Sequence, residues 1–92
     1  MIVNLDQAKA YLRIDFPDDD ALLEGLIASA EQLCASVARM PLEDFSALEN
    51  ENIRTAVLYT VAYLYEHREE ADHHELTLTL RSLLFGIRKE GF

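Results

Sequence analysis

The chain has 92 residues and a formal net charge of -9, from eight Lys and Arg against seventeen Asp and Glu, and half of its residues are apolar. That length supports one domain, residues 1–92, around one core; the apolar half excludes a disordered polyampholyte, and no apolar run approaches the roughly 20 residues that cross a bilayer. A surface this acidic repels phosphate, which argues against specific nucleic-acid binding. The opening MIVNLDQAK lacks the basic-then-apolar layout of a secretory signal, and the lone Cys34 has no intramolecular partner for a disulfide, so a cytosolic setting is expected.

Three Gly and two Pro, together with polar clusters, divide the chain into four helical stretches. The first runs from Leu5 to Leu12. Asn4 is placed to accept a bond from an orphan amide, and Gln7 three residues on completes a capping-box spacing. Leu5, Ala8 and Leu12 form an apolar edge that leaves Asp6, Lys9 and Arg13 facing water, and Pro17 with the carboxylates after it closes the unit.

The second helix is expected from Asp19 or Asp20 to Arg39, because Leu22, Leu23, Leu26, Ile27, Ala30, Leu33, Cys34 and Val37 fall on one stripe. Asp18, Asp19 and Asp20 at its start and Arg39 at its end carry the signs that a helix dipole favours, and helix capping is the expected role of the three acids. Pro41 to Asn50 reads as a loop with a pinned centre, holding only Leu42 and Phe45 as marked hydrophobes.

The third helix, from about Asn52 to Glu70, is apolar on more than one side. Ile53, Ala56, Val57, Thr60, Val61 and Leu64 make a core face, while Leu58 with Tyr65, and separately Tyr59, project away from it. Either this helix is central to the bundle, or another molecule covers its outer faces. His67 to Glu75 is polar and reads as a connector. Leu76, Leu80, Leu83, Leu84 and Ile87 then mark a last helix with Thr77 as its N-cap, since the alternation from Leu76 to Leu80 would otherwise make a lone strand with nothing to pair with. The fold class is therefore all-α, a small bundle of about four helices: one short N-terminal, two long and one C-terminal.

Catalytic signals are weak. The run Asp18–Asp20 lacks the alternation, the glycine and the final glutamate of a calcium loop. Glu70 and His73 have the Glu-x-x-His spacing of di-iron bundles, but the second copy that such sites need is missing from the sequence. Cys34 lies on an apolar stripe, where a thiol behaves as a small hydrophobe. No nucleophile elbow, phosphate loop or dinucleotide fingerprint is found, so no enzyme activity, metal or cofactor is expected. Arg68 projects near the border of the core face, where it either meets a carboxylate of a neighbouring element or subunit or stands in solvent; the same alternatives hold for Arg13 and Arg88.

Three blocks of residues carry a resemblance. The first is Leu5, Ala8, Lys9, Tyr11, Leu12, Arg13, Ile14 and Asp15, followed by Asp18, Asp19, Asp20, Leu22, Leu23, Leu26 and Ile27. The second is Ile53, Ala56, Val57, Leu58, Val61, Leu64, Tyr65, Glu66, His67 and Arg68; the third is Leu76 to Arg88, with Leu83, Leu84 and Arg88 in place. In this order they resemble the small head-tail connector (adaptor, or DNA-packaging) proteins of tailed bacteriophages and prophages. Thr77 stands where that pattern commonly has a proline, and Gly86 and Ile87 where it often has Pro-Tyr.

The resemblance implies a helical structural subunit that assembles into a homo-oligomeric ring of about a dozen copies, between the portal protein and a stopper or tail-completion protein. DNA would pass through without specific binding, and the chain would reside in the virion at the head-tail interface, after assembly in the bacterial host cytoplasm. A ring of such acidic subunits should tighten as salt screens their repulsion. Leu58, Tyr59 and Tyr65 are the expected oligomer contacts, with Arg13, Arg68 and Arg88 as candidates for intersubunit ion pairs. The alternative from another class is a small helical adaptor or regulatory domain that binds a partner helix between the second and third helices.

Overall fold

In the computed structural model, residues 2–48, 50–67 and 73–85 are described, and they form five helices with no strand among them. The first, α1 (Leu5–Leu12), starts as its sequence dictates. Asn4 Oδ1 accepts from the Gln7 amide at 2.8 Å, and Gln7 Oε1 accepts from the Asn4 amide at 2.9 Å. It ends in a Schellman turn: the Ile14 amide donates to the Lys9 carbonyl at 2.9 Å, and the Arg13 amide donates to that of Ala10 at 3.3 Å. Arg13 has the left-handed conformation, φ 60°, that this turn normally gives to glycine. The buried Ile14 supplies the hydrophobic anchor.

The long helix α2 (Asp20–Val37) buries Leu23, Ile27, Ala30, Cys34 and Val37, the centre of the predicted stripe. Leu22, Leu26 and Leu33 along its edges are half-buried. It stops two residues short of Arg39, which sits at φ 62° in a second Schellman turn, with Arg39 donating to Ser36 and Met40 to Ala35. Its other end corrects the capping expectation. Asp19 is the N-cap residue but makes no side-chain cap bond; its carboxylate accepts instead from the Tyr65 hydroxyl. Asp20 pairs with Lys9 at 2.8 Å. Lys9 is thus partly buried rather than water-facing, because α1 lies along α2 and brings the two charges together.

The start of the chain is fixed by a buried carboxylate. Glu31 on α2 accepts from the amides of Ile2 at 2.6 Å and Val3 at 3.2 Å. With Lys9 bonded near the start of α2 and residues 2 and 3 bonded further along it, α1 runs antiparallel to α2.

The stretch after Pro41 is helical where a loop was expected. α3 (Leu42–Ala47) is one and a half turns long, its first amides flanked by Glu43 and Asp44, and the completely buried Phe45 holds it to α2. The pinned centre is therefore real, but a segment of this length shows no helical period in its sequence.

The next helix, α4 (Glu51–Glu66), opens on Asn50, whose side chain accepts from the Asn52 amide at 2.7 Å. It buries Ile53, Ala56, Val57, Thr60 and Val61, and leaves Leu64 half-buried. It packs against α1, α2 and α5, so it is central to the bundle. The last helix, α5 (His73–Leu83), begins four residues before Thr77, which lies inside it and is not its cap. Leu76, Leu80 and Leu84 are fully buried at four-residue spacing, and this settles the alternating segment as helix. The predicted connector therefore gives His73–Glu75 to the first turn of α5. Ile87 and residues 68–70, the expected end of the third helix, lie outside the described residues.

One polar pair sits in this core. Thr60 donates its hydroxyl proton to the Ala56 carbonyl at 2.8 Å, so the Cys34 thiol, 3.4 Å from Thr60 Oγ1, is left to act as the donor in that contact. Among the described residues no buried side-chain nitrogen or oxygen lacks a partner.

Candidate functional site

Leu58, Tyr59 and Tyr65 project off the core stripe of α4, as its helical spacing requires, and all three are half-buried and packed against the core rather than open. The central position of α4 causes this, since α1 and α5 cover flanks that a peripheral helix would leave bare. Tyr65 also bonds Asp19, which ties the end of α4 to the start of α2.

The large exposed hydrophobic side chains lie elsewhere: Tyr11 and Phe16, each 49% exposed, Leu48, Leu78 and Phe85. Tyr11 falls off the Leu5–Ala8–Leu12 stripe of α1, and that was the available sequence signal for it. Leu78 likewise falls off the Leu76–Leu80–Leu84 stripe of α5, while Phe16, Leu48 and Phe85 lie outside the helices.

Tyr11 opens onto a cleft of about 380 Å³ between the end of α1 and the second half of α4, and its lining includes Arg13, Tyr59, Tyr63, Glu66 and His67. The Tyr63 and His67 rings stack with centroids 4.2 Å apart and planes 18° from parallel, and His67 Nδ1 lies 2.9 Å from the Tyr63 carbonyl. Arg13 is exposed and enters no ion pair among the described residues. Two sequence candidates, Arg13 and Tyr59, thus meet at one cleft, joined by Tyr11, Tyr63 and His67, which were not among the expected contact residues. Arg68 and Arg88 lie outside the described residues. The α2–α4 contact, where a partner helix was the alternative expectation, is packed through the core; a second cleft lies between α2 and α5.

Tyrosines with an arginine at the rim suit protein contact, since they bring large, stiff, amphipathic surface together with a charge-assisted hydrogen-bond donor. The chemistry for a reaction is poorly supplied. Burial raises the Cys34 thiol to about 11, and nearby Glu31 adds to the shift. Cys34 is thus a thiol and not a nucleophile at neutral pH. No group of three His, Cys, Asp or Glu that would hold a metal occurs among the described residues; Glu70 and the His73 side chain lie outside them. No helix among the described residues is long and apolar enough to cross a membrane.

Against known proteins, no curated protein and no solved structure matches the chain. The family model described as phage gp6-like head-tail connector protein matches residues 2–90. The match spans every helix of the bundle. The chain belongs to the phage gp6-like head-tail connector family, structural proteins of the virion's head-tail interface that assemble with other phage head and tail proteins.

Proposed function

We propose that the chain is a non-enzymatic ring subunit that joins the portal to a stopper or tail-completion protein and lines the passage taken by DNA, residues 1–92 acting as one connector domain without a cofactor. The family match over nearly the whole chain carries this reading. The charge supports it: a channel wall must let a polyanion slide, and a chain with net charge -9 offers DNA little to hold. A ring of about a dozen copies would bear on the order of a hundred negative charges, so its assembly tightens as salt screens the repulsion between neighbours.

The cleft between α1 and α4 is the proposed contact with another subunit of the assembly. Tyr59 and Arg13 form its working surface, Leu58 and Tyr65 hold α4 behind it, and Arg68 and Arg88 are assigned to further ion pairs. The test is light scattering of the chain alone and mixed with a portal ring, at low and high salt. Association that strengthens with salt, and that is lost in Tyr59→Asp while helical circular dichroism persists, supports the reading. A chain that stays monomeric at high concentration and does not bind the portal ring refutes it.

A further inference from the structure

Two helix faces that point away from the core in one chain fit each other across two chains. On α5 the buried side is Leu76, Leu80 and Leu84, so the opposite side carries Leu78 and, just past the end of the helix, Phe85, 51% and 81% exposed. They lie seven residues apart, two turns of helix, and project as knobs about 10 Å from each other. Arg81 stands between them on the same side, exposed and in no ion pair among the described residues. A lone exposed leucine is ordinary at a surface; two large hydrophobic side chains astride a guanidinium form a contact surface. Residues 78–85 hold no carboxylate, which in a chain of net charge -9 makes this face receptive to an acidic partner.

The second face is the outer side of α2. Ala21, Gly25, Ala28 and Gln32 are exposed along it, and the exposed Glu24 at its edge enters no ion pair among the described residues. Glycine inside a helix gives up more backbone freedom on folding than any other residue. The chain's own packing does not require it here, because a Cβ at Gly25 would meet no atom within 4 Å. The room above Gly25 is open to a neighbour, and the missing side chain lets another helix come close.

The two faces share one spacing. Ala21 and Ala28 are also seven residues apart, so a register that sets Leu78 and Phe85 against them brings Arg81 to Glu24 and Gly25, whichever way the helices run. Large side chains then meet small ones, and the cation meets a carboxylate. α2 and α5 pack on each other within the bundle with these faces turned outward, so the two cannot meet in one chain. Each copy carries one of each, and a contact between them is heterologous: it propagates from copy to copy and closes when the rotation allows.

We propose that the Leu78–Arg81–Phe85 face of one copy packs on the Ala21–Gly25–Ala28 face of α2 in the next, with Arg81 paired to Glu24. This rests on the reading that copies of the chain assemble with one another, and it names two surfaces that meet.

The test is light scattering of full-length variants, alone and beside a portal ring, at concentrations where the wild-type chain self-associates. E24R and R81E, each folded by circular dichroism, are expected to weaken self-association about tenfold or more when alone. It should recover when the two are mixed in equal amounts, and in the double variant E24R/R81E, because both arrangements restore opposite charges at every contact. Independently, G25L should unfold at a higher temperature than the wild type, since leucine suits a helix interior better than glycine. It should nevertheless self-associate about tenfold less, because its side chain fills the room that the next copy needs. Self-association that survives the charge reversals or G25L overturns this contact and leaves the ring reading standing. Charge variants that neither mixing nor doubling restores overturn it as well. A wild-type chain that is monomeric even beside a portal ring overturns the contact together with the ring.

Discussion

Arg13 offers a sharp test, because its backbone and its side chain make opposite demands. A non-glycine residue in the left-handed region costs roughly 1–2 kcal/mol, and Arg13 sits there at φ 60° with both Schellman bonds made. Glycine removes that strain but loses about 0.5–1 kcal/mol of extra freedom on folding. Comparing Arg13→Gly with Arg13→Ala cancels the loss of charge near the end of α1, common to both variants, and isolates the backbone. Arg13→Gly is therefore expected to be more stable than Arg13→Ala by about 0.5–1 kcal/mol, or about 2–8 °C in Tm for a domain of this size. Thermal and urea unfolding followed by circular dichroism read that difference. Both variants should bind the partner subunit equally poorly, since both lack the guanidinium at the mouth of the α1/α4 cleft. If Arg13→Ala is as stable as Arg13→Gly, the left-handed turn carries no strain and the argument from it collapses; if both variants assemble normally, the side chain is not what that position is kept for.

Cys34 should resist thiol reagents at pH 8 in the folded chain and react on unfolding. Its acidity is weakened in the fold, so the unfolded state releases a proton above pH 9 while the folded state holds it to about 11, and stability falls over that window by on the order of 1 kcal/mol per pH unit; Cys34→Ala should remove this part of the slope in urea titrations at pH 8, 9 and 10. Glu31→Ala leaves the Ile2 and Val3 amides without their acceptor and should cost about 1–3 kcal/mol, with faster amide exchange at Val3 as the local signature; unchanged exchange there would mean that the carboxylate does not hold the chain start. Tyr65→Phe deletes the hydroxyl that bonds Asp19 and should cost about 1 kcal/mol in urea unfolding while partner binding persists; a loss of binding at unchanged stability would place the Tyr65 hydroxyl in the interface.

The helical elements were legible because the forces that set them act within a few residues. The Asn4–Gln7 box, the stripe of Leu23, Ile27, Ala30 and Cys34, and the Leu76–Leu80–Leu84 repeat all depend on neighbours three or four positions away, and each appears in the structure where its spacing placed it. The short α3 was not legible, because one and a half turns hold no period and it exists through the burial of Phe45 against α2. The acids at Asp19 and Asp20 were read as caps from local rules, whereas their partners, Tyr65 and Lys9, reach them only once α4 and α1 lie beside α2.

The same division runs through the candidate surfaces. Sequence alone determined that α4 has apolar side chains on several sides, that the chain is strongly acidic, and which family pattern it follows. Only the tertiary structure decided which of those side chains stay open: Leu58, Tyr59 and Tyr65 are half-buried against the core, while Phe16, in a link that has no helical period, is left at the surface. Helical phase says where a side chain points, and what it meets there depends on segments distant in the chain, whose arrangement is a property of the whole packed bundle.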